Sequence, residues 1–166
     1  LLKMALPHSN NCSRKPSCKE IYVNKAGLDH IEIALLKIIR FFLQTYALEA
    51  SHSWILALKA SEKYFGKEKG ARIGVQLMFA LQEMRFARKS TFSFNAPQCN
   101  GCSLFLTEHE RRLTSTISAL RSGRSGLAEA EMMMLCEGHG TSAALSAFVE
   151  LILILPEAKQ PLPLDV

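Results

Sequence analysis

The sequence predicts an all-α protein, a single-domain bundle of about six helices with a Cys/His metal knuckle between helices three and four. Three observations predict this fold. Apolar residues recur at helical spacing between residues 28 and 155, capping patterns open two of these segments, and glycines mark several of their ends. A chain of 166 residues is long enough for one core and short for two.

Composition and charge divide the chain into three parts. Hydrophobic residues make up 48% and charged residues 21%, which is typical of a globular protein. Of the net charge of +5, residues 1–27 supply +4, from five basic side chains against Glu20. These residues also lack a sustained period. We therefore expect a flexible basic tail at 1–27, a helical domain at 28–155 and an irregular tail at 156–166.

The cysteine content and the absence of targeting patterns predict a cytoplasmic protein. Five cysteines are too few for a disulfide scaffold, and no secretory signal pattern opens the sequence. The most apolar stretch, residues 31–43, is interrupted by Lys37 and Arg40 and is shorter than the roughly 20 residues that span a bilayer. We expect no membrane partner.

The first three helices are predicted from caps and apolar spacing. Asp29, followed by Glu32, forms a capping-box pattern, and the apolar surface behind it indicates a central helix buried on two sides. Ser51 is expected to cap a second helix that Gly66 ends. A third begins near Lys67, and basic residues are expected to complement the dipole at its end, namely Arg85, Arg88 and Lys89.

The second half begins with an alternating segment in which Phe92 and Phe94 are expected to point to one side. Thr107 and Glu110 then form a second capping box for a helix over residues 107–122. A fifth helix is expected at 127–137, with three methionines at 132–134 as core filler. Thr141 is expected to cap the last helix, which Pro156 ends, with these residues inward: Leu145, Phe148, Val149, Ile152 and Leu155.

Two ligand pairs flank the hairpin of the fourth and fifth helices. Cys99 and Cys102 precede it, and Cys136 and His139 follow it, each pair with two residues between its members. Thiolate and imidazole are the ligands that zinc prefers, and four of them complete a tetrahedral site. The sequence therefore predicts a structural zinc site on these four residues, with no open position for catalysis.

Alternatives to this site remain open. His109 could replace His139, an iron–sulfur cluster could replace zinc, or no metal is bound and Cys136 is a small buried hydrophobe. The glycines inside the two pairs, Gly101 and Gly138, are expected either to have positive φ or to let the backbone approach a thiolate closely. Cys12 and Cys18 have only His8 nearby, so we expect free thiols there.

Three classes of function fit these features, and no catalytic motif is found. The favoured one is a non-enzymatic helical module with a structural zinc site, acting through an unknown protein partner or in regulation. The second is nucleic-acid binding by the basic helix 107–122 and the basic N-terminal tail, which is weakened because the last helix, residues 141–155, has no Lys or Arg. The third is thiol redox chemistry at Cys99 and Cys102.

Overall fold

The computed structural model describes residues 15–157, in which six α-helices form a bundle beside one small antiparallel sheet. The helices are α1 (His30–Ala47), α2 (Trp54–Phe65), α3 (Lys67–Ala87), α4 (Glu108–Arg121), α5 (Ser125–Leu135) and α6 (Thr141–Ile154). The expectation of a mostly helical bundle is confirmed. The expected tails at 1–14 and 158–166 lie outside the described residues.

The sheet consists of β1 (Ile21–Tyr22) and β2 (Phe105–Leu106), paired so that Ile21 lies opposite Leu106 and Tyr22 opposite Phe105. A 3-10 turn, Val23–Lys25, follows β1. The part of the expected N-terminal tail that is described therefore contains regular structure. Two residues are too few for alternation to be visible in a sequence, so the strands were not predicted.

The first helix is the centre of the bundle. The Asp29 side chain accepts from the Glu32 amide, and the Glu32 side chain accepts from the Asp29 amide, so the predicted capping box is confirmed. Ten of its residues are buried, from Ile31 to Leu43, because α2, α3 and α4 all contact this helix. Its two-sided burial is also confirmed.

Helices α2 and α3 pack closely through small residues. The Ser61 hydroxyl donates to the Gly70 carbonyl at 2.7 Å, and a Cβ at Gly70 would lie 2.5 Å from the Ser61 carbonyl oxygen. The face of α2 turned inward carries Ala57 and Ser61, while Trp54 is 44% exposed. The prediction that Ser51 caps this helix is wrong, because a 3-10 turn intervenes and the helix begins after Ser53.

Helices α4 and α5 form the predicted hairpin, and α6 returns along α3. The second capping box, between Thr107 and Glu110, is confirmed. The prediction that three methionines fill the core is correct only for Met132, since Met133 and Met134 are exposed. In α6, Phe148 is buried as predicted, but Val149 is 40% exposed because only the face toward α3 and the core is covered.

Helices α3 and α6 run antiparallel. Ala87 at the end of α3 lies against Gly140 at the start of α6, and Gln76 donates to the Ala147 carbonyl at 3.3 Å. Because α6 has 14 residues and α3 has 21, α6 ends beside the first half of α3. Within residues 15–157, no helix combines the length and apolarity needed to cross a bilayer.

Candidate functional site

The first predicted ligand pair lies in a compact loop that we call the thiol loop, residues 96–104. Cys99 and Cys102 are both buried and contact Ala96 in a small cluster separate from the main core. The amide of Cys102 donates to the Cys99 sulfur at 3.2 Å, and the Ser103 amide donates to the Cys99 carbonyl at 2.9 Å. An amide donated to sulfur favours the thiolate, which is the form that binds metal or attacks a disulfide.

A buried ion pair fixes the thiol loop to the bundle. Arg40 of α1 and Glu110 of α4 are almost fully buried, and Arg40 Nε lies 2.7 Å from Glu110 Oε1. The same guanidinium donates to the carbonyls of Ser103 at 2.8 Å and Phe105 at 2.5 Å. Glu110 also accepts from the amide of Asn95 at 3.1 Å. The Arg40–Glu110 pair therefore joins the central helix, α4 and both ends of the loop.

The second predicted ligand pair lies elsewhere in the molecule. Cys136 belongs to the main core, whereas His139 is exposed. The reason is local: Glu137 and Gly138 have φ of 56° and 77°, so the chain reverses at the end of α5 and turns His139 outward. Gly138 thus has the positive φ that was one of the two expectations, whereas Gly101 has φ of −73°.

The four predicted ligands, Cys99, Cys102, Cys136 and His139, are not brought together as one group. Among residues 15–157, no three or more His, Cys, Asp and Glu side chains are placed to hold a metal ion. Burial raises the pKa of the Cys136 thiol to about 11, with a smaller opposing effect from Arg88. The four-ligand zinc site stays a prediction that this arrangement does not support.

A polar cluster surrounds Cys136 instead. Arg88 is 3% exposed and donates to the Leu135 carbonyl and, at 3.0 Å, to the Ser90 hydroxyl, so its expected role as a solvated dipole complement is wrong. Glu137 accepts from the Ser90 hydroxyl and from the Lys89 amide, and these bonds lower the pKa of Glu137 to about 2. These contacts join the end of α3 to the end of α5.

His109, the alternative fourth ligand, belongs to this same cluster. Its Nδ1 accepts from the Ser93 amide at 2.8 Å, and its Nε2 lies 3.4 Å from Arg88 Nη2. Burial and then the adjacent Arg88 cation lower the pKa of His109, so the ring is neutral near pH 7. Because Nδ1 is already bonded and Nε2 faces a cation, neither nitrogen is free to bind a metal in this arrangement.

The thiol loop forms one wall of a groove of about 700 Å³, which we call the apolar groove. The other walls are the 3-10 turn after β1, the outer face of α1 and the end of α2. Most of the lining is apolar: Tyr22, Val23, Ile33, Leu36, Phe41, Ala60, Tyr64, Pro97 and Leu104. Lys37 also lines the groove, with its Nζ 3.0 Å from the Tyr64 hydroxyl, and among residues 15–157 no acidic side chain lines it.

The four arginines of α4 and of the turn after it lie in two different environments. Arg112 pairs with Glu108 and Glu131, and Arg121 pairs with Asp29 and Glu32. The others, Arg111 and Arg124, line a polar cavity of about 400 Å³ together with Lys25 and three hydroxyl side chains, Thr114, Ser115 and Ser118. Two of these four arginines therefore pair with acidic side chains, and the other two lie at this cavity.

Comparison with known proteins adds no relative to this description. No protein family, curated protein or solved structure matches the chain.

Two features of the site were missed from the sequence. Arg40 and Glu110 are seventy positions apart, and their pairing depends on how α1 and α4 cross. The apolar groove is built from four separate segments, of which only α1 was expected to have excess apolar surface. The one available signal was that α1 carries apolar residues around most of its circumference.

Proposed function

We propose that this chain is a non-enzymatic helical module that acts by binding a protein partner, and that the partner contributes an extended proline- and leucine-rich segment to the apolar groove. The observation that carries the proposal is the groove itself, a concave surface that is largely apolar and lies outside the main core. A well-formed apolar concavity with few polar groups is the usual form of a binding site.

The shape and chemistry of the walls favour an extended peptide. Three aromatic rings, from Tyr22, Phe41 and Tyr64, line the groove with Pro97. Proline-rich segments in the polyproline II conformation bind in aromatic-lined grooves, because little conformational entropy is lost when they are ordered. Tyr22 is 40% and Leu104 56% exposed, so both offer apolar surface for a ligand to cover.

Binding of a fluorescent proline decamer tests this proposal in the full chain. We expect saturable binding that is lost when Leu104→Glu places a charge in the groove wall. Phe86→Ala is the matched control, since Phe86 is 73% exposed on α3 and does not line the groove.

The proposal is overturned if the decamer does not bind the chain, or if Leu104→Glu leaves the affinity for the decamer unchanged. Equal losses for Leu104→Glu and Phe86→Ala would mean that the probe binds a different surface.

We also propose that Cys99 and Cys102 supply two ligands of a structural zinc ion. Their burial, their shared cluster and the amide donated to the Cys99 sulfur are suited to a metal knuckle. Such an ion needs two ligands beyond this pair. Zinc there would stiffen the wall that carries Pro97 and Leu104.

Each of the other two classes of function is favoured by an observation of its own. For nucleic-acid binding it is the polar cavity, because Lys25, Arg111 and Arg124 line it without an acidic residue. For thiol redox chemistry it is the same N–H to sulfur contact that favours zinc, since it also stabilises an attacking thiolate. Loss of salt-dependent duplex DNA binding in Arg111→Ala with Arg124→Ala would support the first of these classes.

A further inference from the structure

We infer that the polar cavity binds a small phosphate monoester, whose phosphate group is held by Lys25, Arg111 and Arg124. Within residues 15–157, this cavity and the apolar groove share no lining residue, so the inference goes beyond the proposed peptide binding and does not depend on it. It rests on three cations that line one cavity, on the pairing of the carboxylates beside it and on its size.

Three separate segments supply the cations of the cavity. Lys25 ends the 3-10 turn after β1, Arg111 lies in the first turn of α4, and Arg124 directly precedes α5. No carboxylate of residues 15–157 forms a salt bridge with any of them. Arg124 donates to the Ser122 hydroxyl at 2.9 Å, which leaves its charge in place. Because like charges repel, an anion bound among the three would be stabilised.

The carboxylates beside this cavity are already paired with other arginines. Glu131 accepts from the hydroxyl of Ser115, which lines the cavity, at 3.4 Å, and lies 3.0 Å from Arg112. Asp29, next in the chain to the cavity wall, lies 2.6 Å from Arg121. In the described part of the chain, no acidic side chain lines the cavity itself. Its lining therefore has a net positive charge.

The end of α4 offers a donor to the cavity, while its carbonyls are engaged elsewhere. Among residues 15–157, the Ser118 hydroxyl has no hydrogen-bond partner, and Ser118 lines the cavity. The carbonyls of Ser118, Ala119 and Leu120 accept from amides of the turn that follows, at 2.8 to 3.2 Å. An anion in the cavity could therefore accept from Ser118 in addition to the cations.

Size and charge favour a small monoester over nucleic acid. The cavity of about 400 Å³ falls in the range of small-molecule sites. A phosphate monoester has a second pKa of about 6, so it carries close to two negative charges near pH 7, which suits three cations. Nucleic acid needs cations along a row of phosphates, whereas Arg112 and Arg121 of α4 are paired with carboxylates.

The apolar part of the wall suits the organic group of such an ester. Ile21, Leu28 and Leu127 line the cavity together with the cations. An ester whose phosphate contacts the cations can therefore place its organic group against these side chains, where apolar surface is removed from water. This combination points to a monoester with a small apolar group, and phenyl phosphate is the simplest probe of that chemistry.

Calorimetric titration of the full chain with phenyl phosphate, at about pH 7.5 and low salt, tests the inference. Arg111→Gln with Arg124→Gln should raise the Kd by about tenfold or more, because two charged donors are lost. Lys25→Gln, in another segment, should also raise it. The matched control is Arg72→Gln, an exposed arginine of α3 that does not line the cavity, and its Kd should be unchanged.

Phenyl sulfate is the matched ligand, since it has the same shape and a single negative charge, and it should bind more weakly than phenyl phosphate. Circular dichroism checks that each variant keeps its helices. The inference is overturned if phenyl phosphate does not bind, if phenyl sulfate binds as tightly, or if Arg72→Gln weakens binding as much as the double variant.

Duplex DNA and the proline decamer separate this site from the other two proposals. Binding of duplex DNA that the Arg111→Gln, Arg124→Gln variant loses, without binding of phenyl phosphate, would overturn the inference in favour of nucleic acid. The decamer should bind the double variant as it binds the unchanged chain, because none of these arginines lines the groove. A loss of decamer binding in the double variant would contradict the separation of the two sites.

Discussion

At the scale of single residues, the environments of the cysteines decide what each thiol does. Cys99 and Cys102 share a buried loop in which an amide is donated to sulfur. Cys136 is buried in the main core, where its pKa is raised to about 11 and the thiol stays protonated. The same side chain is therefore a candidate ligand in one place and a small apolar residue in the other.

Zinc content distinguishes these roles. We expect purified chain to hold about one zinc ion per molecule, Cys99→Ser and Cys102→Ser each to abolish it, and Cys136→Ser to leave it unchanged. Atomic absorption measures the ratio, and Cys18→Ser is the matched control because Cys18 is exposed.

Loss of zinc on Cys136→Ser would restore the four-ligand site with His139 and contradict the environments described above. A zinc-free chain that forms a reversible Cys99–Cys102 disulfide with oxidised glutathione would support the thiol redox function instead.

At the scale of elements, close packing of α2 on α3 depends on the absence of side chains. A Cβ at Gly70 would meet Ser61 and Glu62 backbone atoms at 2.5 to 2.7 Å. Gly126, in the first turn of α5, has nothing within 4 Å of the corresponding position. The two glycines are both helical and differ mainly in the space around them.

Alanine at these two positions should change stability in opposite directions. Gly70→Ala should lower the free energy of unfolding by about 1–3 kcal/mol through overpacking, in spite of better helix propensity. Gly126→Ala should raise it by up to about 1 kcal/mol, because the unfolded chain loses freedom and nothing clashes. Urea unfolding followed by circular dichroism measures both, and a Gly70→Ala protein as stable as the unchanged chain would contradict this packing.

Elements with local signals could be predicted from the sequence, and contacts between distant elements could not. The capping boxes at Asp29 and Thr107 and the end of α2 at Gly66 depend on neighbours within four residues, and all three are confirmed. Arg88 was expected in solvent because its burial depends on the Leu135 carbonyl, which another helix supplies. The same limit applies to the predicted grouping of Cys136 with Cys99. Sequence spacing does not show that Cys136 is buried in the main core and Cys99 in the separate small cluster of the thiol loop.

At the scale of the whole molecule, the Arg40–Glu110 pair couples the bundle to the groove. The Arg40 guanidinium bonds to Glu110 of α4, to the carbonyl of Ser103 in the thiol loop and to the carbonyl of Phe105 just after the loop. The thiol loop is one wall of the groove, so a ligand bound there contacts a loop that is held in place by the Arg40–Glu110 pair.

Arg40→Met should lower the free energy of unfolding by about 3 kcal/mol, because Glu110 would be left buried without its cation. Arg111→Met is the matched control on an exposed arginine of α4, and its effect should stay within about 0.5 kcal/mol. Urea unfolding at pH 7 measures both variants. Equal changes in the free energy of unfolding for Arg40→Met and Arg111→Met would show that the Arg40–Glu110 pair does not hold the thiol loop.

The most direct test of the groove is a methyl NMR titration of the full chain with the proline decamer. We predict that the methyl signals of Val23, Ile33, Leu36 and Leu104 shift together and saturate, since these side chains line one surface. Shifts confined to Val75 and its neighbours on the outer face of α3, or no shifts at saturating decamer, would contradict the proposed binding surface.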